Sequence, residues 1–594
     1  MIRTLVTASL LLAAPAPFAR AAGARATDPN AALDRLCTDY WNTHLRFNPR
    51  EATSIGDRRF DALLEDNTPA GIERERAFLA NTLAHARAIA TAGLDARHEL
   101  DRAALIETVD GEIAAIECHF EEWNIDARNG PQSDFMNVPD YTTIGTVEDG
   151  RNYVQRVRAM GPYIDQTIAN LERGLAAGKV ASKRAVESTL DQLDHELADS
   201  AAAWPLAAPG HAPHGWSADD EARFTRDLDQ AVTAGVRPSF ARLRAFLATS
   251  VLPRARSEAH PGLSSLPGGL DAYRKLIRVH TSLDRTPEAL HQLGLEQVAR
   301  VRAELSTLGR KVLGTGDIAA IQSKLRDDPA MHFATADEVE TKARATLARA
   351  KAAIPQWFHL LPKADCQVKV MGMHEAPYST IAYYREGSED GSRPANYMIN
   401  TYQPTTRPKY EAEALAFHES IPGHHLQIAI ASELTGLPEF RRHQGVTAFV
   451  EGWGLYSERL ADDMGLYSSD LDRIGMLSYD AWRDCRLVVD TGLHAMGWSR
   501  QQAIDYMLAN TVLAENNIEN EVDRYISDPG QALAYKVGQL EILRLRDEAR
   551  QKLGARFDIK QFHDAVLENG AVALPVLREQ VEAWIAATQQ AAGR

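Results

Sequence analysis

The sequence predicts a large, mainly α-helical protein with one small β-sheet. Along most of the chain, apolar residues recur at three- and four-residue spacing with charged residues between them, which is the pattern of amphipathic helices. The alternation of apolar and polar residues that is typical of strands is confined to residues 366–402. With 45% hydrophobic and 25% charged residues among 594, the chain can bury a large core.

The helices of the first half follow from periodicity and from helix-start signals. Thr286 and Thr335 are predicted N-caps of helices that end near Leu308 and Ile354. Residues 130–141 contain two prolines and predict a loop. The remaining helices are predicted at 31–40, 72–90, 98–118, 147–177, 182–203, 218–234 and 239–251.

The N-terminus predicts export from the cytoplasm. Arg3 precedes an apolar run over 5–14, and Ala19-Arg20-Ala21 is a small-residue cleavage site, so residues 1–21 are expected to be a signal peptide. The apolar run is too short for a membrane span, and none is expected in the mature chain. Secretion across the inner membrane into the periplasm follows. The cleavage site has no cysteine, which argues against a lipoprotein.

The mature chain, 22–594, is expected to be a single large helical unit. Three prolines and two glycines in 204–216 indicate a linker, which would separate an N-terminal half, 22–203, from a C-terminal half, 217–594. The four cysteines match no metal-binding spacing, and either one or two disulfides or buried thiols are expected. Nothing in the sequence sets the oligomeric state.

Charge excludes two classes of partner. The net charge is −16, whereas a nucleic-acid-binding protein needs a basic surface for phosphates. The same balance provides no basic face for anionic lipid.

The strand-like segments 366–371, 381–385 and 396–402 predict a small antiparallel sheet, with a turn at 389–391 between the last two. The sheet directly precedes the segment with the strongest chemical signal. An edge strand beside a catalytic helix can bind an extended peptide through its main chain. Residues 396–402 are the candidate strand.

That chemical signal is the segment 410–427, YEAEALAFHESIPGHHLQ, which indicates a metal site. His418-Glu419 repeats the opening of the zinc peptidase helix, in which two histidines hold the metal and the glutamate activates water. The second histidine of that motif lies four residues on, but Pro422 occupies the position and must widen, kink or stop the helix. A widened turn would place His424 as the second ligand, which we favour; an undistorted helix would return His425 to the face of His418.

A third ligand is expected because catalytic zinc has three protein ligands and an open position. The best candidate is Glu451 in AFVEGWGLYSE, on the next predicted helix. Glu458 is the alternative ligand or a partner that supports a ligand. Gly452 and Gly454 weaken this helix and suggest a close approach by a neighbouring group.

The motifs HESIPGHHLQ and VEGWGLYSE resemble those of a bacterial family, domain of unknown function 885, which is grouped with zincin-like metallopeptidases. The resemblance extends to LPGGLDAY (266–273), DGSRPANYMIN (390–400), RLVVDTGLHAMGW (486–498) and PGQALAYKVG (529–538). Relatives of this group, similar to thimet oligopeptidase and carboxypeptidase Taq, are helical enzymes with a deep substrate channel. The resemblance implies that zincin-like fold and channel, with His418, His424 and Glu451 as ligands of one zinc ion and Glu419 as the base.

Two further residues are candidates for catalysis. Asp490 and His494 lie four residues apart, so the carboxylate could orient the imidazole to stabilise the oxyanion. A pair on a helix surface is the alternative. Tyr535 resembles by its placement the tyrosine that stabilises the transition state in zincin relatives.

Substrate contacts are predicted from cations and from the candidate strand. Asn396 and Tyr397 belong to that strand. The cations Arg393, Arg483, Arg486 and Lys536 could hold a substrate carboxylate.

The leading hypothesis is an exported zinc-dependent metallopeptidase, a hydrolase of short peptides that resembles carboxypeptidases or oligopeptidases. Two alternatives remain open. The first is a zinc amidohydrolase acting on a small non-peptide amide. The second is a decayed peptidase that only binds its ligand, although the intact Glu419 argues against decay.

Overall fold

The computed structural model of the protein describes residues 28–372, 376, 380–387 and 394–591. The expected signal peptide, 1–21, and the expected turn at 389–391 lie outside these residues. The described chain is mainly helical, as predicted. None of its helices is long and apolar enough to cross a membrane.

The first half consists of helices that match most of the predicted segments. Thr286 and Thr335 are, as predicted, the N-caps of the helices that begin at Pro287 and Ala336, and their side chains accept hydrogen bonds from Ala289 N and Glu338 N. The helices are α1 Pro29–Phe47, α2 Pro49–Ser54, α3 Pro69–Ala88, α4 Ala96–Ile116, α5 Pro131–Met136, α6 Val138–Tyr141, α7 Val147–Ala176, α8 Lys183–Ala198, α9 Ala208–His211, α10 Ala218–Ala231, α11 Arg237–Phe246, α12 Gly269–Thr281, α13 Pro287–Leu313, α14 Ile318–Asp327 and α15 Ala336–Ala353.

Two segments of this half differ from the expectation. Residues 130–141 are not a loop but the short helices α5 and α6, because a proline is tolerated in the first turn of a helix and each of these helices has one there. The expected linker, 204–216, includes α9 and one 3₁₀ turn, Pro205–Ala207, and it buries Trp204 and Leu206. These two side chains share a hydrophobic core with residues on both sides, such as Val157 and Phe240.

The sheet is small and mixed rather than antiparallel. Its strands are β1 Cys366–Val370, β2 Ala382–Arg385 and β3 Ala395–Ile399. The strand order is β1-β3-β2, and β3 pairs parallel with β1 and antiparallel with β2. The alternation in the sequence predicts the strands correctly, but it does not specify which neighbour each strand pairs with. The expected peptide-binding strand is therefore the central strand.

The second half is built around one buried helix. This helix is α20, Asp470–Ala495; every residue in it from Ile474 to His494 is buried, and it packs along α13. Two further helices, α19 (Thr447–Asp463) and α23 (Ala534–Leu553), pack closely against each other, with Gly452 against Gly538. The helices of this half are α16 Ala412–Glu419, α17 His424–Glu433, α18 Glu439–His443, α19 Thr447–Asp463, α20 Asp470–Ala495, α21 Arg500–Asn510, α22 Glu515–Ser527, α23 Ala534–Leu553, α24 Ile559–Leu567 and α25 Leu574–Ala591.

The four cysteines are buried free thiols. Burial raises the pKa of the Cys37 and Cys366 thiols to about 12, which keeps them protonated at neutral pH. Of the two expectations for the cysteines, that of buried thiols is therefore confirmed.

Candidate metal centre

The metal-site segment, 418–424, joins two helices. Helix α16 ends at Glu419, and α17 begins at His424. The expected widened turn is wrong, because Pro422 lacks an N–H and cannot continue the helix, so the helix stops and restarts. The restart needs a glycine at position 423, since a Cβ atom there would lie 1.9 Å from the His418 carbonyl oxygen.

Helix α19 supports this break from the opposite side. Trp453 Nε1 donates a hydrogen bond of 2.8 Å to the Pro422 carbonyl oxygen, and Ser457 Oγ donates one of 3.0 Å to the Phe417 carbonyl oxygen. A Cβ atom on Gly454 would lie 2.8 Å from the His418 ring. The close approach suggested by this glycine in the sequence is therefore to a predicted metal ligand.

The break brings His418, His424 and Glu451 together. The Nε2 atoms of both histidines lie 3.5 Å from the same oxygen, Glu451 Oε2. The two imidazole rings are nearly perpendicular, with centroids 4.6 Å apart. All three potential ligand atoms lie within 4.8 Å of one another.

These residues fit a tetrahedral metal ion. Ligand atoms bound at about 2.0–2.1 Å to a tetrahedral ion are about 3.4 Å apart, close to the observed separation of the imidazole nitrogens from the carboxylate oxygen. A separation of 3.5 Å is long for an N–H···O hydrogen bond. Glu451 Oε2 is buried and has no hydrogen-bond partner in the described part of the chain. A cation between the three atoms would satisfy this oxygen.

Glu458 supports His418 from behind. The Glu458 carboxylate lies 2.8 Å from His418 Nδ1 and accepts its hydrogen, which leaves Nε2 free to bind a metal. Of the two roles considered for Glu458, the geometry shows the supporting one.

His425 faces away from the candidate site. Its Nδ1 lies 3.3 Å from Tyr384 Oη and its Nε2 lies 3.1 Å from the Ala364 carbonyl oxygen. Burial lowers the pKa of His425 to about 4, so this ring is neutral at pH 7. The structure thus groups His424, and not His425, with His418.

The electrostatics of the cluster favour a bound cation. Burial alone lowers the pKa of His418, but the neighbouring carboxylates of Glu451 and Glu458 outweigh burial and raise the pKa to about 10. Burial raises the pKa of Glu451, but the two histidines hold it well below its usual range. A proton and a metal ion therefore compete for this position, and metal binding should release a proton.

A cavity of about 400 Å³ adjoins the cluster and exposes Glu419 to a ligand. His418, His424, Glu451 and Glu419 all line it. The Glu419 carboxylate is oriented by the Tyr384 backbone N–H, which donates a hydrogen bond of 3.1 Å to Oε2. Glu419 is thus held beside the potential ligands.

Strand β2 forms one wall of this cavity and is the edge strand on that side of the sheet. Asn400 N donates a hydrogen bond to the Ile381 carbonyl oxygen. Hydrogen-bonded and non-hydrogen-bonded pairs alternate along an antiparallel ladder, so the pairs that Ala382 and Tyr384 form with β3 are non-hydrogen-bonded. The backbone groups of Ala382 and Tyr384 consequently point away from β3, in agreement with the bond from Tyr384 to Glu419.

Tyr535 and Arg486 also lie at the cavity. Tyr535 lines it, and its ring stacks with that of His418 at a centroid separation of 6.5 Å. The Arg486 guanidinium lies 4.3 Å from the Tyr535 ring centroid, and Arg483 lies 6.0 Å from it. Three sequence-based candidates are therefore grouped beside the metal ligands.

His494 lies outside the cavity lining. Its Nδ1 accepts a hydrogen bond of 3.1 Å from Leu263 N, so Nε2 carries the hydrogen and donates it to the Tyr525 carbonyl oxygen at 2.9 Å. The expected pair with Asp490 does not form, because that carboxylate accepts from Tyr273 Oη and Gly530 N. The catalytic role expected for His494 is therefore corrected to a structural one.

Three expected substrate contacts also lie outside the cavity lining. Lys536 is buried between Asp480 and Asp484, so two carboxylates already neutralise it. Tyr397 belongs to the main core, and Asn396 donates a hydrogen bond of 2.8 Å to the carbonyl oxygen of Pro394. Arg393 lies outside the described residues.

Sequence reasoning missed several residues that line the cavity. The sequence pattern EVDRY (521–525) is that of an ordinary amphipathic helix, and a glutamate three residues before an arginine is usually a surface pair. Tyr384 carried only a strand signal, because its role depends on a backbone group. The missed lining residues include Tyr384, Tyr479, Trp482, Glu521 and Arg524.

The fold and the site together define the class of the protein: it is a mainly helical protein with a cluster of histidine and glutamate side chains at a cavity. The chain belongs to the family described as "Bacterial protein of unknown function (DUF885)", whose model matches residues 49–581. No curated protein matches the chain.

Two solved structures have similar folds. The first is described as a "putative lipoprotein" from Colwellia psychrerythraea; it is 25% identical, with a TM-score of 0.88 over 94% of this chain and 100% of that chain. The second, a "putative lipoprotein of unknown function" from Shewanella oneidensis, is 18% identical, with a TM-score of 0.71 over 92% of this chain and 99% of that chain. The fold is therefore shared along nearly the whole chain.

Proposed function

We propose that the protein is an exported zinc-dependent peptidase that hydrolyses short peptides. The observation that carries the proposal is the arrangement of His418 Nε2 and His424 Nε2, both 3.5 Å from Glu451 Oε2, beside Glu419 in one cavity. Two imidazoles and one carboxylate are a ligand set of catalytic zinc sites. When bound, zinc would polarise a carbonyl group and make water more acidic.

Glu419 is the proposed general base. Its carboxylate lines the cavity next to the ligands, and the hydrogen bond from Tyr384 N fixes Oε2. One carboxylate oxygen can take a proton from the attacking water and return it to the leaving nitrogen. A site that only bound metal or ligand would have no use for such a base.

Tyr535 is the proposed donor to the oxyanion. Its hydroxyl oxygen lies 3.4 Å from an Arg524 nitrogen, and its ring lies against that of His418. The phenol can donate its hydrogen to a carbonyl oxygen as negative charge develops.

Strand β2 supports an extended substrate backbone. Ala382 directs its N–H and C=O away from β3, on the side where the strand lines the cavity. An extended peptide can add to this edge through main-chain hydrogen bonds. The proposed strand is therefore β2, in place of the central β3.

Export is proposed from the signal-like N-terminus. The similar structure from Colwellia psychrerythraea is described as a "putative lipoprotein", which supports a destination in the cell envelope.

The test is digestion of a synthetic peptide library by zinc-loaded protein, with products identified by mass spectrometry. Cleavage that a chelator stops and added zinc restores is expected. Glu419→Gln protein serves as the control for a contaminating peptidase. Failure of the zinc-loaded protein to cleave any peptide would contradict the proposal.

A further inference from the structure

Three buried or half-buried arginines form a cationic wall of the same cavity. Arg483, Arg486 and Arg524 all line it. Arg486 and Arg524 share one carboxylate, that of Glu521, at 3.0 and 3.5 Å. The carboxylate nearest Arg483, that of Glu458, lies 3.8 Å away and already accepts the His418 hydrogen. Within the described ranges, the three guanidinium charges therefore have only two carboxylates as partners, and each carboxylate also has a second partner.

The arginines have hydrogen-bond donors to spare. Arg486 is 2% exposed, and its Nη1 has no hydrogen-bond partner in the described part of the chain. The Nε atom of Arg483 is likewise buried without a partner among the described residues. An unmet buried donor is costly, and an anion that entered the cavity would remove this cost. The wall is therefore suited to a negatively charged ligand group.

Aromatic rings fix the position of Arg486. The Arg486 guanidinium lies 4.5 Å from the Trp482 ring centroid and 4.3 Å from that of Tyr535. Arg524 is held by Gln531 and by Tyr535 Oη, and its side chain keeps 19% exposure. These contacts orient two planar guanidinium groups in advance, which suits a planar carboxylate better than a mobile lysine would.

Tyr535 connects this wall with the metal ligands. Its ring centroid lies 6.5 Å from that of His418, and its hydroxyl oxygen lies 3.4 Å from an Arg524 nitrogen. The two ends of the cavity are thus separated by about one tyrosine side chain. That is roughly the length of one or two extended residues at 3.3–3.6 Å each. A peptide bond at the metal would have one or two residues between it and the arginines.

We propose that Arg524 and Arg486 bind the α-carboxylate of a peptide C-terminus, so that the enzyme is an exopeptidase that releases one or two C-terminal residues. The inference rests on the proposed peptidase function and adds the substrate class to it. Arg524 is the accessible partner and Arg486 the buried one. Lys536, a sequence-based candidate for this role, is already neutralised by two aspartates.

The test compares three synthetic peptides that differ only in whether a carboxylate is present and where it lies. The first has a free C-terminus, the second has a C-terminal amide, and the third has the amide with an interior Gln replaced by Glu. With zinc-loaded protein, kcat/KM is expected to be roughly a hundredfold higher for the free acid than for either amide. Mass spectrometry should detect release of the last one or two residues.

Variants test whether Arg524 causes the preference for the free acid over the amide. Arg524→Gln is expected to slow cleavage of the free acid far more than that of the amide, so that the acid-to-amide ratio of kcat/KM falls, while Arg524→Lys should retain part of the preference. Arg544→Gln is the matched control, because Arg544 is partly exposed on α23 and pairs with Glu541 and Glu548. It should cleave all three peptides as the wild type does.

Binding provides a readout that does not need turnover. Titration of the zinc-loaded Glu419→Gln variant with each peptide should show the same preference for the free acid. Equal cleavage and binding of acid and amide would overturn the inference but leave the peptidase proposal standing. A preference for the interior glutamate would assign the arginines to a side-chain carboxylate and would also overturn it. Absence of cleavage of every peptide would instead contradict the peptidase proposal, and the exopeptidase with it.

Discussion

The metal-site segment, 418–424, and the segment 486–498 both contain buried histidines, but their surroundings differ. In the first, two imidazole nitrogens face one carboxylate oxygen at a separation that is long for hydrogen bonds. In the second, both ring nitrogens of His494 have backbone partners, and burial lowers its pKa to about 3. Burial of a histidine is therefore not enough to predict a metal site. What separates the two segments is that the potential ligand atoms of the first face one another at 3.5 Å, whereas those of the second are already hydrogen-bonded.

The largest expected effect separates chemistry from metal binding. Glu419→Gln should reduce kcat roughly 10²–10⁴-fold, because the amide cannot accept a proton. Zinc content should not change, since Glu419 is not one of the three grouped ligands. The measurements are steady-state peptide hydrolysis and metal analysis, with Glu433→Gln on α17 as the matched control. Undiminished turnover by Glu419→Gln would rule out its role as the base.

Removing His494 should affect stability alone. His494→Ala leaves a cavity and two unpaired backbone groups, so the free energy of unfolding should fall by about 2–5 kcal/mol. Zinc content and kcat of the folded protein should remain those of the wild type. Thermal unfolding and metal analysis check the two parts. A folded, zinc-loaded variant with strongly reduced kcat would restore His494 as a candidate for catalysis.

A smaller effect is expected from crowding a metal ligand. Gly454→Ala would place a Cβ atom 2.8 Å from the His418 ring and push it away from Glu451. Zinc affinity should fall roughly 10–100-fold, the range seen when support of a ligand is lost. Competition with a chromogenic chelator measures it. Gly445→Ala, at an exposed position with no atom within 4 Å of the added Cβ, is the control. Equal affinities of the two variants would contradict the proposed constraint.

The smallest expected effect is a pH dependence of the free energy of unfolding, and it arises from Asp490 in the segment 486–498. Burial raises the pKa of Asp490 to about 7, so between pH 4 and 7 the folded protein binds a proton that the unfolded chain releases. This group therefore contributes stability at low pH that is lost as pH rises towards 7, at no more than about 1.4 kcal/mol per pH unit. Asp490→Asn removes the contribution.

Thermal unfolding of both proteins from pH 4.5 to 7.5 tests this expectation. The melting temperature of Asp490→Asn relative to the wild type should rise with pH. A constant difference across this range would show that Asp490 is charged throughout.

Local patterns in the sequence predict most helices, the three strands and the grouping of the metal-site segment with Glu451. These features depend on neighbours in sequence or on one close helix pair. The role of His494 could not be predicted, because its partners, Leu263 and Tyr525, lie 231 and 31 residues away. The mixed sheet and the cavity position of Arg524 likewise depend on contacts between distant segments. Spacing on one helix carries no information about them.

Metal content tests the central claim most directly. Inductively coupled plasma mass spectrometry of purified, folded protein should find close to one zinc per chain in the wild type and in His425→Gln. It should find close to none in His418→Ala, His424→Ala and Glu451→Ala. A native wild-type protein that binds no zinc, or a His424→Ala variant that retains a full equivalent, would contradict the site.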